Sequence, residues 1–216
     1  MRTVVIDSRG DFRLERRPSP VAGPGSVVVA VRAAGLNAAD LQQARGDYPA
    51  PAGWPADVPG LEVAGEVEQV GAGVTGFVPG DRVMALVGGG GHAERIAVPA
   101  DLLLPVPDGL PWEQAAGFPE AFSTAWDALV LRMFDLMLAR ARLIGTTIRG
   151  RAHAEKALLA ATVRTSVVPL LAQGRLRVPV DSAFTLDRFA DAYARLAGPG
   201  KFGKVVMTPW PSAPGP

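Results

Sequence analysis

Glycines and prolines cut the first hundred residues into pieces of about 8–12, too short for the helices of a bundle and suited to strands joined by turns. Between the breaks lie runs rich in β-branched and aliphatic residues: SVVVAVRAA (Ser26 to Ala34), EVAGEVEQV (Glu62 to Val70), DRVMAL (Asp81 to Leu86), HAERIAV (His92 to Val98) and LLLPVP (Leu102 to Pro107). Many short strands at this interval predict a small barrel or sandwich. Pro18, Pro20 and Pro24 fall between the second and third predicted strands, where a missing N–H removes no ladder hydrogen bond.

Beyond Pro111 the period lengthens. Ala115, Phe118, Phe122, Ala125, Trp126 and Leu129 recur near 3.6-residue spacing, which predicts at least two helices with a break or kink at Pro119. A longer helix is expected from about Ala154 to Gln173, carried by Leu158, Leu159, Val163, Val167, Leu170 and Leu171 and stopped by Gly174; Pro169 removes one hydrogen bond near its end. A last helix, Leu186 to Leu196 with Thr185 or Asp187 as cap, leads to a final strand, Lys204 to Thr208, and the tail PWPSAPGP reads as disordered.

Charge and cysteine content narrow the chemistry. Among 216 residues, 22 Lys+Arg face 21 Asp+Glu, so neither a basic nucleic-acid surface nor an acidic disordered tail is expected. The absence of cysteine excludes disulfides, thiolate metal sites, iron–sulfur clusters and cysteine nucleophiles. Only His92 and His153 could offer imidazole, with no histidine pair at i, i+4, and each reads as a residue that opens an element. No window reaches eighteen apolar residues and the N-terminus has no apolar signal core, so a cytoplasmic protein without a membrane partner is the expectation.

The string GAGVTG (Gly71 to Gly76) fits the dinucleotide pattern G-x-G-x-x-G. Phosphate binding requires a helix to open at the third glycine, so that free N–H groups and the helix dipole receive the anion. Here FVPGDRVMAL follows, a second turn and a strand, and the glycines read as a hairpin turn. Gly88 to Gly91 likewise lead into a strand and read as a flexible loop.

Taken whole, GLEVAGEVEQVGAGVTGFVPGDRVMAL (Gly60 to Leu86) resembles the signature of the medium-chain dehydrogenase/reductase superfamily. AAGLNAADLQQARGDYPAPAG (Ala33 to Gly53), GGGGHAERIAVPADLLLPVPDGLPWEQAAGFPEAFSTAWDAL and the C-terminal LARARLIGTTIRGR (Leu138 to Arg151) are similar to its NAD(P)H-dependent quinone oxidoreductase branch. The resemblance implies an α+β protein: a GroES-like β-barrel domain with C-terminal helices and a remnant of a Rossmann sheet. It implies hydride transfer from NADPH to a quinone or enone, with the protein supplying orientation and hydrogen bonds. Zinc alcohol dehydrogenases resemble the same region but offer a cysteine near Asn37 and a histidine just before Glu62, where this chain has Leu61, so no metal is expected.

Relatives insert a complete Rossmann domain before the strand similar to RLIGTTI. Leu131 to Arg142 supplies only 12 residues, whereas a single βαβ unit takes roughly 30. The resemblance therefore implies a barrel with its following helix over 1–130, a Rossmann remnant over 131–165, a segment returning to the barrel over 166–209, and a tail over 210–216. A remnant strand at Leu143 to Ile148, stripped of its neighbours, is expected to promote homo-oligomers.

The resemblance points to Tyr48, Asn37 and Asp40 as catalytic candidates and to Asn37, Thr124 and Lys204 as cofactor contacts. Each carries a structural alternative. Asn37 and Asp40 fit an Asx turn or helix cap, Tyr48 fits packing on its neighbouring prolines, Thr124 a hydroxyl bonded to its own helix, and Lys204 a solvated strand end. Glu62 reads as a buried structural carboxylate, and Gln42 stands where some relatives carry tyrosine. Two functions follow: a zinc-independent NAD(P)H quinone oxidoreductase-like protein, impaired by the lost nucleotide domain, or a noncatalytic binding or self-association module on the same barrel.

Overall fold

The strands alternate between two apolar environments, and that alternation builds the molecule. In the computed structural model, which describes residues 1–128, 148 and 150–209, β1 (Arg2–Ile6) and β2 (Phe12–Arg16) form an antiparallel ribbon. A second, seven-stranded sheet contains β3 (Ser26–Gly35), β4 (Glu62–Val70), β5 (Arg82–Leu86), β6 (Arg95–Pro99), β7 (Leu103–Pro105), β8 (Val180–Thr185) and β9 (Lys204–Thr208). Its order is β7-β5-β4-β3-β9-β8, with β6 also on β3. Val83 and Ala85 of β5 and Leu103 of β7 join Val27, Val29 and Val31 in one core, while Met84 and Leu104 point the opposite way. Register shifts within β3 between Val28 and Val29 and between Val31 and Ala33 turn Ala33 to the second face.

Helices cover that second face. After α1 (Ala38–Ala44) come α2 (Trp112–Ala116) and α3 (Pro119–Ala128), divided at Pro119. The long helix expected from 154 to 173 is two: α4 (His153–Ser166) and α5 (Val168–Ala172), separated at Val167 because Pro169 has no N–H to give the carbonyl four residues earlier and sits in the first turn of the second helix, where none is needed. Phe118, Val163, Val167, Val168 and Leu171 pack on Met84 and Leu104. The last helix, α6 (Phe189–Ala197), follows a 3-10 turn at Leu186–Arg188 and packs Tyr193 and Leu196 on Val4, Val205 and Met207. β8, which runs parallel to β9, was not expected: VDSAFT is polar, half-buried and without the alternation that marks a strand.

The glycine motif serves the backbone. A Cβ on Gly71 would lie 1.9 Å from the Gly23 carbonyl oxygen, and Gly73 and Gly76 hold φ of +79° and +84° in turns. No helix follows Gly76, in keeping with the hairpin reading. Gly88 to Gly91 depart from the flexible loop read from sequence: all four are buried, a Cβ on Gly88 would meet the Trp54 ring at 2.5 Å, and Gly89 packs on the Val58 and Pro55 carbonyls. They are small because another loop crosses directly over them. The remnant strand at 143–147 and the tail at 210–216 lie outside the described residues. Among the described residues no helix is long and apolar enough to cross a membrane.

Candidate functional site

Five element ends converge. β3 ends at Gly35, whose register partner across the sheet is Glu62, the first residue of β4. A Cβ at 35 would lie 2.2 Å from Glu62 Oε1, so glycine there lets the Glu62 carboxylate reach the start of α1. Asn37 Nδ2 donates to Glu62 Oε1 at 3.1 Å, and the Glu120 amide at the start of α3 donates to Oε2 at 2.9 Å. Lys204, opening β9, places Nζ 2.6 Å from Glu62 Oε1, donates to Asn37 Oδ1 at 2.6 Å, and lies 3.7 Å from Glu120 Oε2. A Cβ on Gly117 would sit 2.9 Å from Lys204 Cγ, so that glycine clears the lysine's path.

Lys204 is therefore no solvated strand end: its side chain is 15% exposed and the Glu62 carboxylate is fully buried. Burial pushes the Glu62 carboxyl above its ordinary value, against the pull of the Lys204 ammonium. Burial disfavours the Lys204 charge, but Glu62 outweighs it and the ammonium's pKa lies above the usual lysine range.

Asp40 holds the floor beneath. Its Oδ2 accepts the Asn37 amide at 2.7 Å and its Oδ1 accepts the Gly60 amide at 3.0 Å, tying the first turn of α1 to the segment entering β4. The helix-cap alternative thus describes Asp40 and the Asn37 backbone, whereas the Asn37 side chain turns to Glu62 and Lys204. Beside Asp40, His92 Nδ1 lies 2.6 Å from the Tyr193 hydroxyl and Nε2 lies 3.2 Å from the Gly35 carbonyl. A carbonyl only accepts, so Nε2 carries the proton and Nδ1 accepts from Tyr193. His92 is fully buried and fastens α6 to the barrel, a role its sequence position does not reveal.

This histidine gives the fold an acid sensitivity. Burial holds His92 below its usual value of 6.5, although Asp40 and the Gly35 carbonyl pull upward. As pH falls through about 6.5 the unfolded chain takes up a proton that the folded chain refuses, so stability falls by up to roughly 1.4 kcal/mol per pH unit until the folded value is reached. Glu62, with its folded value raised, acts in the opposite sense. Urea midpoints for the wild type and His92→Gln between pH 7.5 and 5.5 isolate the effect; equal pH slopes in the two proteins would refute it.

Tyr48 and Thr124 occupy a different place from Asn37, Asp40 and Lys204. They line a cavity of about 190 Å³ between the barrel and α4, with Leu61, Leu86, Trp54, Leu159, Ser123 and Glu120. The Thr124 hydroxyl donates to Glu120 Oε1 at 3.2 Å instead of to its own backbone. Glu120, which sequence patterning did not single out, joins the two groups because it touches Lys204 on one side and the cavity on the other. Trp54, seated on Gly88, also lines a larger cavity of about 850 Å³, whose lining includes Arg17, Arg95, Arg151 and Lys156.

The strand barrel with helices packed on its outer face is a GroES-like domain of the alcohol dehydrogenase type. The alcohol dehydrogenase GroES-like domain model matches residues 23–108, and the zinc-binding dehydrogenase model matches 81–207. The chain belongs to this zinc-binding dehydrogenase family, within the medium-chain dehydrogenase/reductase superfamily. It is 38% identical over 132 residues to the mouse synaptic vesicle membrane protein VAT-1 homolog-like, an alignment covering 60% of this chain and 31% of that protein. The chain thus matches about a third of the length of such curated relatives. The structure of the human VAT-1 homolog-like protein superposes with a TM-score of 0.81 at 21% identity, covering 99% of each chain. The quinone oxidoreductase from Thermus thermophilus gives 0.76 at 23%, covering 96% of this chain and 100% of that one.

The family's description invites a test for zinc. The donors that converge here are oxygens, from Asn37, Glu62 and Glu120, and the point they share is taken by the Lys204 ammonium. Thiolate is absent from the sequence, and His92 is committed to Tyr193 and Gly35. These residues do not fit zinc, whose protein sites favour sulfur and imidazole ligands and which a fixed ammonium would repel.

Proposed function

We propose that this chain is the substrate-side barrel of a zinc-independent, quinone oxidoreductase-like reductase, with the ring-sized cavity at Tyr48 and Thr124 as its reaction chamber. The observation that carries this reading is the cavity itself: three hydroxyl-bearing residues, Tyr48, Ser123 and Thr124, border a space otherwise walled largely by Trp54, Leu61, Leu86, Leu102 and Leu159. NADPH, when bound, supplies a hydride. The cavity suits the nicotinamide or quinone ring, and a dinucleotide exceeds it; among the described residues no glycine turn opens a helix that would receive the pyrophosphate.

In this reading the leucines and Trp54 exclude water, and the Tyr48 and Thr124 hydroxyls orient a carbonyl or carboxamide by hydrogen bonding. Asn37, Asp40 and Lys204 act from behind, keeping Glu120 and the start of α1 in place. The reading extends to a cytoplasmic, self-associating chain whose cofactor anchorage beyond the ring comes from elsewhere. NADPH alone should then bind more weakly than about millimolar, since losing roughly 4 kcal/mol of anchoring takes a micromolar site there. Nicotinamide fluorescence titration and a quinone assay with wild type and Tyr48→Phe test it. Slow reduction that falls further in Tyr48→Phe supports the chamber. Turnover indifferent to Tyr48 removes it, and micromolar NADPH binding means that the chain builds a nucleotide site of its own.

A further inference from the structure

We propose, on the reading of the smaller cavity as the reaction chamber, that the larger cavity bordered by Trp54 is the tail site of the substrate, which is then an enone or quinone carrying an extended, uncharged apolar chain. Trp54, Leu102 and Lys156 line both cavities, so the two spaces adjoin at these three side chains. The chamber, at about 190 Å³, is smaller than the roughly 300–1,000 Å³ of ordinary small-molecule sites, whereas the larger cavity, at about 850 Å³, lies within that range. A head group that fits the chamber has beside it room for a chain several times its size.

The walls select an uncharged chain. Trp54, Val58, Ile96 and Leu102 supply apolar surface, and Pro51, Pro55 and Pro99 have no N–H to offer a ligand. The basic side chains that border the space are already paired with carboxylates that do not: Arg17 with Asp57 at 2.5 Å, Arg95 with Glu68 at 2.6 Å and His153 with Asp101 at 2.8 Å. Arg151 and Lys156 have partners as well. A ligand anion would have to compete for these cations, while an alkyl chain can lie along their methylene stems. Among the three residues shared by the cavities, Lys156 has the flexible stem that can swing aside for the chain, whereas Trp54 is seated on Gly88.

The test uses the full chain without NADPH, so that it reads binding apart from turnover. The probes are 2-pentanone and 2-nonanone, saturated ketones with one head and two chain lengths, titrated by calorimetry and ligand-observed NMR. Burying a methylene tightens binding about three- to fourfold, so 2-nonanone should bind at least about fiftyfold more tightly. Ala97, on β6, lines the larger cavity and not the chamber, and Ala97→Phe should cut that advantage to under about fivefold. Tyr48 borders only the chamber, so Tyr48→Phe should weaken both ketones by one factor. If Ala97→Phe does not fold, Ala52→Phe, on an exposed stretch of the same lining, replaces it. No chain-length advantage in wild type, or one that survives the phenylalanine, would overturn the tail site. So would nonanoate binding at least about tenfold more tightly than 2-nonanone, since the site would then be one for anions. An advantage lost with the phenylalanine, while Tyr48→Phe leaves both ketones unmoved, supports the chain site and removes only the chamber reading.

Discussion

Lys204→Met is expected to cost the fold about 3–5 kcal/mol, the loss that follows when one partner of a buried ion pair is removed. Methionine fills much of the lysine's volume, so little of this loss comes from a cavity. It comes from Glu62, fully buried, which would keep the Asn37 and Glu120 donors but lose its neutralising charge. Pairing Lys204→Met with Glu62→Gln removes the orphaned charge, and the double variant should be more stable than Lys204→Met alone. Denaturant midpoints of the four proteins measure the coupling. If the two single losses simply add, the ion pair is not what joins β4 to β9.

Asp40→Ala should destabilise by about 2–4 kcal/mol, because it strands two buried amides, those of Asn37 and Gly60, each costing roughly 1–3 kcal/mol without a partner. Asp40→Asn keeps one acceptor oxygen and should recover part of the loss. The comparison bears on role as well as stability. Asp40 is fully buried and does not border the ring-sized cavity, so Asp40→Asn should change stability more than any reduction rate the folded protein retains. A folded Asp40→Asn protein of wild-type stability with turnover abolished would reverse that order and place the carboxylate in the chemistry.

The candidate residues divide along the same line. Resemblance to the family brought Asn37, Asp40, Tyr48, Thr124 and Lys204 together as one site, but the geometry sorts them into cavity walls and supports. Glu120, the residue in contact with both, escaped notice because nothing in PEAFSTAW distinguishes a carboxylate that faces a cavity from one in solvent. His92 looked like a strand opener for a similar reason: its partner Tyr193 lies 101 residues further along the chain.

What the sequence determined by itself was local or a matter of inventory. Turn residues and the β-branched and aliphatic runs between them placed β3, β4, β5 and β9 almost to the residue, because strand and turn are written in neighbouring positions. The missing helix after Gly76 ruled out a phosphate loop in that motif, and the missing cysteines removed thiolate chemistry, without any reference to space. The tertiary structure alone decided that Lys204 meets Asn37 across 167 residues, that α4 and the barrel enclose a ring-sized cavity, and that the glycines at 88–91 are packed rather than loose. The first contact arises when β9 closes onto β3, and the energies of all three depend on burial and distance between segments that local patterning does not relate.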